Sequence, residues 1–274
     1  MTDGQSVDGG LLLCGCGKMG SALLDGWLAG GLDPGSIHVV EPYPSTWLES
    51  LARETGLGLN AALPEAPGVC IIAVKPQVME AALQGLRSLG TGETLVLSIA
   101  AGVRIRTIER AFGGAVPVIR AMPNTPAAIR MGVTAIIGNA RVSDRHMADA
   151  EQLLGAVGET VRLESEDDMD VVTAVSGSGP AYVFLMIEAL AAAGEKAGLS
   201  PEMALSLARS TVSGAGALAS SSGEPPSRLR ENVTSPNGTT AAALEILMRP
   251  SGGLHSLMDQ AVIAARDRSR ELGG

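Results

Sequence analysis

Leu11-Leu12-Leu13-Cys14 runs without a polar residue straight into Gly15-Cys16-Gly17-Lys18-Met19-Gly20. Few junctions restrict a chain more. A short continuous apolar run reads as a strand buried on both faces. After the glycines, Ala22, Leu23, Trp27 and Leu28 recur at helical spacing, and Gly30-Gly31 ends that helix. A G-x-G-x-x-G step between a buried strand and a helix has a well-defined use, the binding of a dinucleotide. Gly15 permits the tight turn, Gly17 lets a pyrophosphate approach the backbone, and Gly20 lets helix and strand pack closely. Lys18 and Met19 complete the turn.

The pattern repeats along the first half. Ile37 to Val40 reads as a second strand, Ser45 to Glu54 as a helix, and Leu57 to Asn60 as a short extended piece. Further strands are expected at Val69 to Val74, Thr94 to Ser98, Val116 to Arg120, Gly132 to Gly138 and Thr160 to Leu163, with a helix over Ser143 to Val157. Strands alternating with helices predict a parallel sheet with crossover helices. The fold class is therefore α/β, an N-terminal Rossmann-type doubly wound sheet. From about Glu166 the strand signals stop. Ala181 to Gly198, Pro201 to Ala219, Thr239 to Met248 and His255 to Leu272 read as helices. The expected organisation is a flexible tail over 1–10, a dinucleotide-binding domain over 11–165, and an all-α domain over 166–274. Helices with so little polar surface need a covering partner, and a second subunit is the simplest.

Glu41 closes the second strand, 21 residues beyond Gly20. A carboxylate there accepts hydrogen bonds from the adenosine ribose hydroxyls and repels a 2′-phosphate, and no arginine follows closely. The residues thus lean toward NADH over NADPH. The ends of later strands should line the same crevice. That places Ala73-Val74-Lys75-Pro76, Ala100-Ala101-Gly102 and the stretch from Arg120 to Asn124 near the nicotinamide half.

A second constellation lies far downstream, at Ser235-Pro236-Asn237-Gly238-Thr239-Thr240, just before the apolar run Ala241 to Met248. Hydroxyls, a helix stop, a pair tolerant of positive φ and a fresh helix N-terminus make a ready anion site, sized for a carboxylate or a phosphate.

Other classes of function recede. The formal net charge is −9, without a long basic run, which argues against nucleic acid or an anionic membrane surface. No apolar run is read as reaching the ~18–20 residues of a membrane span. The first ten residues lack the features of a signal peptide. Cys14, Cys16 and Cys70 are expected to be small buried residues in a reducing, cytoplasmic setting. No metal-ligand cluster, paired carboxylate or His-centred site stands out, so no metal is expected.

Six motifs in order now carry a resemblance. They are Gly15-Cys16-Gly17-Lys18-Met19, Ala73-Val74-Lys75-Pro76-Gln77, Ser98-Ile99-Ala100-Ala101-Gly102, Arg120-Ala121-Met122-Pro123-Asn124-Thr125-Pro126, Ser176-Gly177-Ser178-Gly179-Pro180-Ala181-Tyr182 and Val233 to Thr240. From about Leu11 to Leu272 the chain resembles the pyrroline-5-carboxylate reductases. The resemblance implies a Rossmann domain followed by a helical domain that intertwines with a partner as a homodimer, with five dimers sometimes joined as a decamer. It implies NAD(P)H-dependent reduction of the cyclic imino acid (S)-1-pyrroline-5-carboxylate to L-proline. It assigns Ser235, Gly238, Thr239 and Thr240 to the substrate carboxylate, puts Thr240 near the ring nitrogen, and matches Asn60 to a cofactor-contacting asparagine. Thr240 and Ser235 are thus the candidate catalytic groups, positioning and polarising the imine.

Two departures matter. Asn237 stands where the family has glycine, and asparagine is the residue best able to replace it in a left-handed turn. Glu41 stands where residues friendlier to a 2′-phosphate are common. Alternatives are a related imine or 3-hydroxy-acid dehydrogenase, or an NAD(P)-binding regulator without catalysis. Against the hydroxy-acid dehydrogenase, Lys196 is the only lysine after residue 166 and falls late on its helix; against the regulator, Ser235, Gly238, Thr239 and Thr240 are intact. Ser176 to Pro180 reads as a turn and N-terminal cap, Arg120 as a brace or a ligand contact, and Glu224 as a residue that could meet the substrate nitrogen.

Overall fold

The structure is a computed structural model that describes residues 7–90, 92–114 and 116–273. The part of the expected tail over 1–6 lies outside the described residues. Residues 7–10 are not loose: Gly10 N–H donates to the Val7 carbonyl, Val7 packs against the core, and Asp8 pairs with Arg145.

The chain divides into two compact units, Met1–Gly177 with Arg266–Gly274, and Ser178–Ala265. This differs from the boundary expected at 165/166. Residues 166–177 stay with the first unit because their side chains and carbonyls bond to it: Glu166 to Arg120 in the sheet and to the Ile105 N–H, and the Ser176 carbonyl to Asn124.

In the first unit, strands β1 (Leu11–Cys14), β2 (Ile37–Val40), β3 (Gly58–Leu59), β4 (Val69–Ile72), β5 (Leu95–Ser98), β6 (Val118–Met122), β7 (Gly132–Gly138) and β8 (Gly158–Arg162) form one sheet in the order β3-β2-β1-β4-β5-β6-β7-β8. All neighbours are parallel except β6 and β7. The reversal follows Met122-Pro123-Asn124, where a short helical turn ends at Arg130 in the left-handed region, φ 59°. Asn124 fixes it by accepting from the Val133 N–H.

β1, β4 and β5 are wholly buried, as their continuous apolar runs require. The two-residue side-chain period then feeds two cores. Leu11, Leu13, Val69, Ile71, Leu95 and Leu97 meet α1 (Lys18–Ala29), α2 (Thr46–Thr55) and α5 (Asp144–Gly155). Leu12, Cys14, Cys70, Ile72 and Val96 meet α3 (Met79–Gly85) and α4 (Ile105–Ala111). The last two helices have seven residues each, too short for an apolar stripe to read as periodic.

After α6 (Met169–Val172) the backbone makes a wide helical turn over Thr173–Gly177 and runs on into α7 (Gly179–Lys196). The serine cap expected at the start of α7 is therefore not used. Ser176 Oγ donates back to the Val172 carbonyl, and Ser178 makes no capping bond, because the preceding helical turn already supplies acceptors. The joined run Glu166–Lys196 has 31 residues and contains a window long and apolar enough by composition to cross a membrane, although Asp170 and Glu188 bound its uncharged stretch.

The second unit holds α7, α8 (Pro201–Ser222), α9 (Pro226–Asn232), α10 (Thr239–Leu247) and the start of α11 (Leu254–Gly273). Its buried core is only Ala191, Ala204 and Ala208, with Ile187 beside them. Phe184, Leu185 and Leu207 stand more than half exposed. Such a surface is not that of a self-sufficient helical domain.

Candidate functional site

The turn between β1 and α1 has the geometry its glycines predict. Gly15 lies at φ +94°, and a Cβ there would sit 2.8 Å from the Ala73 carbonyl oxygen. A Cβ on Gly20 would sit 2.4 Å from the Gly15 carbonyl oxygen. Gly17 differs in kind. A Cβ on it would meet no heavy atom among the described residues within 4 Å, so close protein packing is not what requires a glycine there. Gly17 is also the N-cap of α1 and makes no side-chain cap bond. The first N–H groups of the helix thus face the open side of the turn without an intrahelical acceptor. An open Cβ position beside free helix N–H groups fits a pyrophosphate. Lys18 is exposed, and Met19 is half-buried against the core.

Glu41 reaches back over this turn. Its carboxylate accepts from the Cys16 N–H at 2.8 Å and the Tyr43 N–H at 3.1 Å. Asn60, at φ 49°, clamps the Glu41 backbone from both sides: its amide oxygen accepts from the Glu41 N–H and its NH2 donates to the Glu41 carbonyl. The side chain matched to a cofactor contact is thus also what fixes the end of β2. Burial first, and the Glu41 charge second, push the Cys14 thiol up to about 11 and the Cys16 thiol up to about 12. Burial, and then Cys14, raise the Cys70 thiol too. The three are buried free thiols held protonated, not nucleophiles.

The parallel register brings the ends of β4 and β5 to the same sheet edge as the glycine turn. Ala73 N–H donates to the Cys14 carbonyl, and Lys75 precedes a short turn over Pro76–Val78 with its side chain exposed. Ala100 is buried and Ala101 exposed after β5. Arg120 resolves as a brace: 4% exposed, it donates to Glu166 at 2.8 Å. Glu166 carries no motif of its own in the sequence. The only signal was its place in the acidic stretch Glu164 to Asp168 just before the helices.

In the second unit, Ser235 to Gly238 forms a turn closed by the Gly238 N–H on the Ser235 carbonyl. Asn237 takes the left-handed position at φ 59°, as expected of the residue replacing glycine. A Cβ on Gly238 would lie 2.4 Å from Ser235 Oγ, so the hydroxyl and the glycine are fitted to each other. Gly238 is the N-cap of α10, again without a side-chain cap bond, and Thr239 and Thr240 open the helix. The loop is a helix N-terminus whose donors no capping side chain occupies. Glu224 accepts from Asn232 at 3.2 Å.

The sheet order, the reversal at β7 and the uncapped glycine turn together define a dinucleotide-binding fold of the Rossmann type. A family model described as NADP oxidoreductase, coenzyme F420-dependent, matches residues 10–102, and one described as pyrroline-5-carboxylate reductase dimerisation matches residues 166–272. The pyrroline-5-carboxylate reductase of Pseudomonas aeruginosa is 42% identical over 261 residues, 94% of each chain. The solved pyrroline-5-carboxylate reductase of Coxiella burnetii superposes with a TM-score of 0.90 at 35% identity, over 97% of this chain and 99% of that one. A Plasmodium falciparum pyrroline carboxylate reductase with NADP bound gives a TM-score of 0.83 at 29% identity, over 98% and 100%. The chain belongs to the pyrroline-5-carboxylate reductase family.

Proposed function

We propose that this protein reduces (S)-1-pyrroline-5-carboxylate to L-proline with NAD(P)H. The observation that carries the reading is similarity along 94% of the chain to a reductase of that name, with both loops intact. When bound, the dinucleotide supplies the hydride that saturates the ring C=N bond. The residues Gly15, Gly17, Lys18, Met19 and Gly20 hold the pyrophosphate on the α1 N–H groups. Glu41, kept in place by Asn60, holds the adenosine ribose. Ala73, Val74, Lys75, Pro76, Ala100 and Ala101 flank the nicotinamide half. Ser235, Gly238, Thr239 and Thr240 take the substrate carboxylate on the start of α10. The Thr240 hydroxyl positions and polarises the ring nitrogen. A protonated imine already has an electrophilic carbon, so orientation and charge anchoring are what the chain must add. The test is a steady-state assay following NADH and NADPH oxidation with the pyrroline substrate. Absence of turnover with either cofactor overturns the proposal.

Thr240→Ala is expected to lower kcat about a hundredfold, the usual cost of losing one aimed donor, with circular dichroism and cofactor binding unchanged. Unaltered turnover would remove Thr240 from the catalytic groups.

Glu41 decides the cofactor in the same reading. A 2′-phosphate would bring a second anion against a carboxylate already committed to two backbone N–H groups. The expected outcome is a kcat/KM with NADH at least equal to that with NADPH. A strong NADPH preference would show that Glu41 turns away from the ribose.

The helical unit is read as a homodimer interface, and five such dimers as a decamer; light scattering measures both. The cytoplasm is the compartment proposed, in keeping with three free buried thiols.

A further inference from the structure

The dinucleotide reading uses the loop after β5 but does not explain what holds it. That loop, Ala100-Ala101-Gly102, ends where α4 begins, and Arg104, the N-cap of α4, makes no capping bond with its own side chain. The cap comes from far along the chain. Glu166 Oε1 accepts from the Ile105 N–H at 2.9 Å, across a separation of 61 residues. The same oxygen accepts from Arg120 Nη1 at 2.8 Å, in the interior of β6. The Arg120 side chain is 5% exposed and that of Glu166 24%, so the pair is shielded enough to hold one geometry. The neighbouring Arg104 and Asp167 face each other at 3.5 Å on the solvent side. From the other side, the end of α11 lies against the loop: a Cβ on Gly102 would sit 3.5 Å from the Leu272 carbonyl oxygen. That end is itself tied to the same segment, with Ser269 donating to the buried Asp170 at 2.7 Å.

We propose that Glu166 is a positioning residue for the nicotinamide-side loop. It acts through the Ile105 N–H and Arg120 and does not touch the cofactor. The proposal rests on the dinucleotide reading, and it divides the cofactor into halves. In a sheet of this order the adenosine half belongs to β1 and β2, and the nicotinamide half to β4 and β5. Loosening the start of α4 therefore moves the wall of one half and leaves Gly15 to Gly20 and Glu41 in place.

Binding of NADH and of ADP-ribose, which lacks the nicotinamide, separates this role from a general structural one. In Glu166→Ala the NADH Kd is expected to rise about tenfold, the size of a lost helix cap, while the ADP-ribose Kd stays within about twofold of the parent. Glu166→Gln keeps the volume and an acceptor for Ile105, and should restore NADH binding to within about threefold. Equal losses for both ligands, or no loss for NADH, overturn the proposal. If Glu166→Ala does not fold, Glu166→Asp takes its place, since its carboxylate is one methylene short of Ile105 and Arg120. A parent protein that binds neither NADH, NADPH nor ADP-ribose would instead overturn the dinucleotide reading, and this proposal with it.

Discussion

Gly17→Ala is expected to abolish measurable NADH and NADPH binding without lowering the melting temperature, whereas Gly20→Ala should lose both binding and stability. The contrast comes from what each new methyl would meet. At Gly20 it would lie 2.4 Å from the Gly15 carbonyl oxygen and 3.5 Å from the Ala73 Cβ. Neither the turn nor the sheet can give way cheaply, so α1 must lift from β1, at about 1–3 kcal/mol for an overpacked site. At Gly17 the backbone is φ −71°, ψ −159°, open to any residue, and no described atom comes within 4 Å of the added Cβ. Only a ligand can be displaced there. Calorimetric titration with each cofactor, beside a thermal melt, reads both quantities. Normal cofactor affinity in Gly17→Ala would show that no pyrophosphate approaches this turn.

The second large effect concerns assembly. Phe184→Glu combined with Leu207→Glu is expected to convert the proposed dimer to monomer and to lower the melting temperature by about 10 °C. Among the described residues, the buried hydrophobic side chains of the second unit are Ala191, Ala204 and Ala208 alone, yet Phe184 is 58%, Leu185 64% and Leu207 52% exposed. Covering the exposed half of such side chains stabilises by about 1 kcal/mol or more each, and a carboxylate in a covered apolar site reverses the sign. Stability and association are then one quantity, so the melting temperature should rise with protein concentration in the parent and not in the variant. Tyr43→Glu, at a side chain 91% exposed in the first unit, is the control that should change neither mass nor melting temperature. A dimer of undiminished mass in the double variant would place the interface elsewhere on the helices.

Much of the dinucleotide turn was legible because its requirements are local. A buried strand, a positive φ at Gly15, a close approach at Gly20 and a helix start are each written into neighbouring residues. The same holds for Asn237, whose left-handed backbone follows from its own side chain and from the turn Pro236 begins. α3 and α4 leave no periodic signal in the sequence, because seven residues make too few turns for a period to show. The cap expected over Ser176 to Pro180 is absent for a different reason. Ser-Gly-Ser-Gly-Pro has the chemistry of a helix start, but the segment before it is already helical and leaves no donors for a cap to satisfy.

By itself, then, the sequence determined the alternation of buried strands and helices, the glycine turn, the change to helices after the sheet and the uncapped start of α10, since each depends on contacts within a few residues. Only the tertiary structure decided that Glu41 bonds the turn it follows, that Asn60 clamps Glu41, and that Glu166 joins Ile105 to Arg120. These are hydrogen bonds between groups 19 to 61 residues apart. Their partners are chosen by where the sheet order places strand ends and by which buried charge would otherwise lack a partner. No pattern along the chain encodes that choice, because the energy that makes it arises only once the strands lie side by side and water has left.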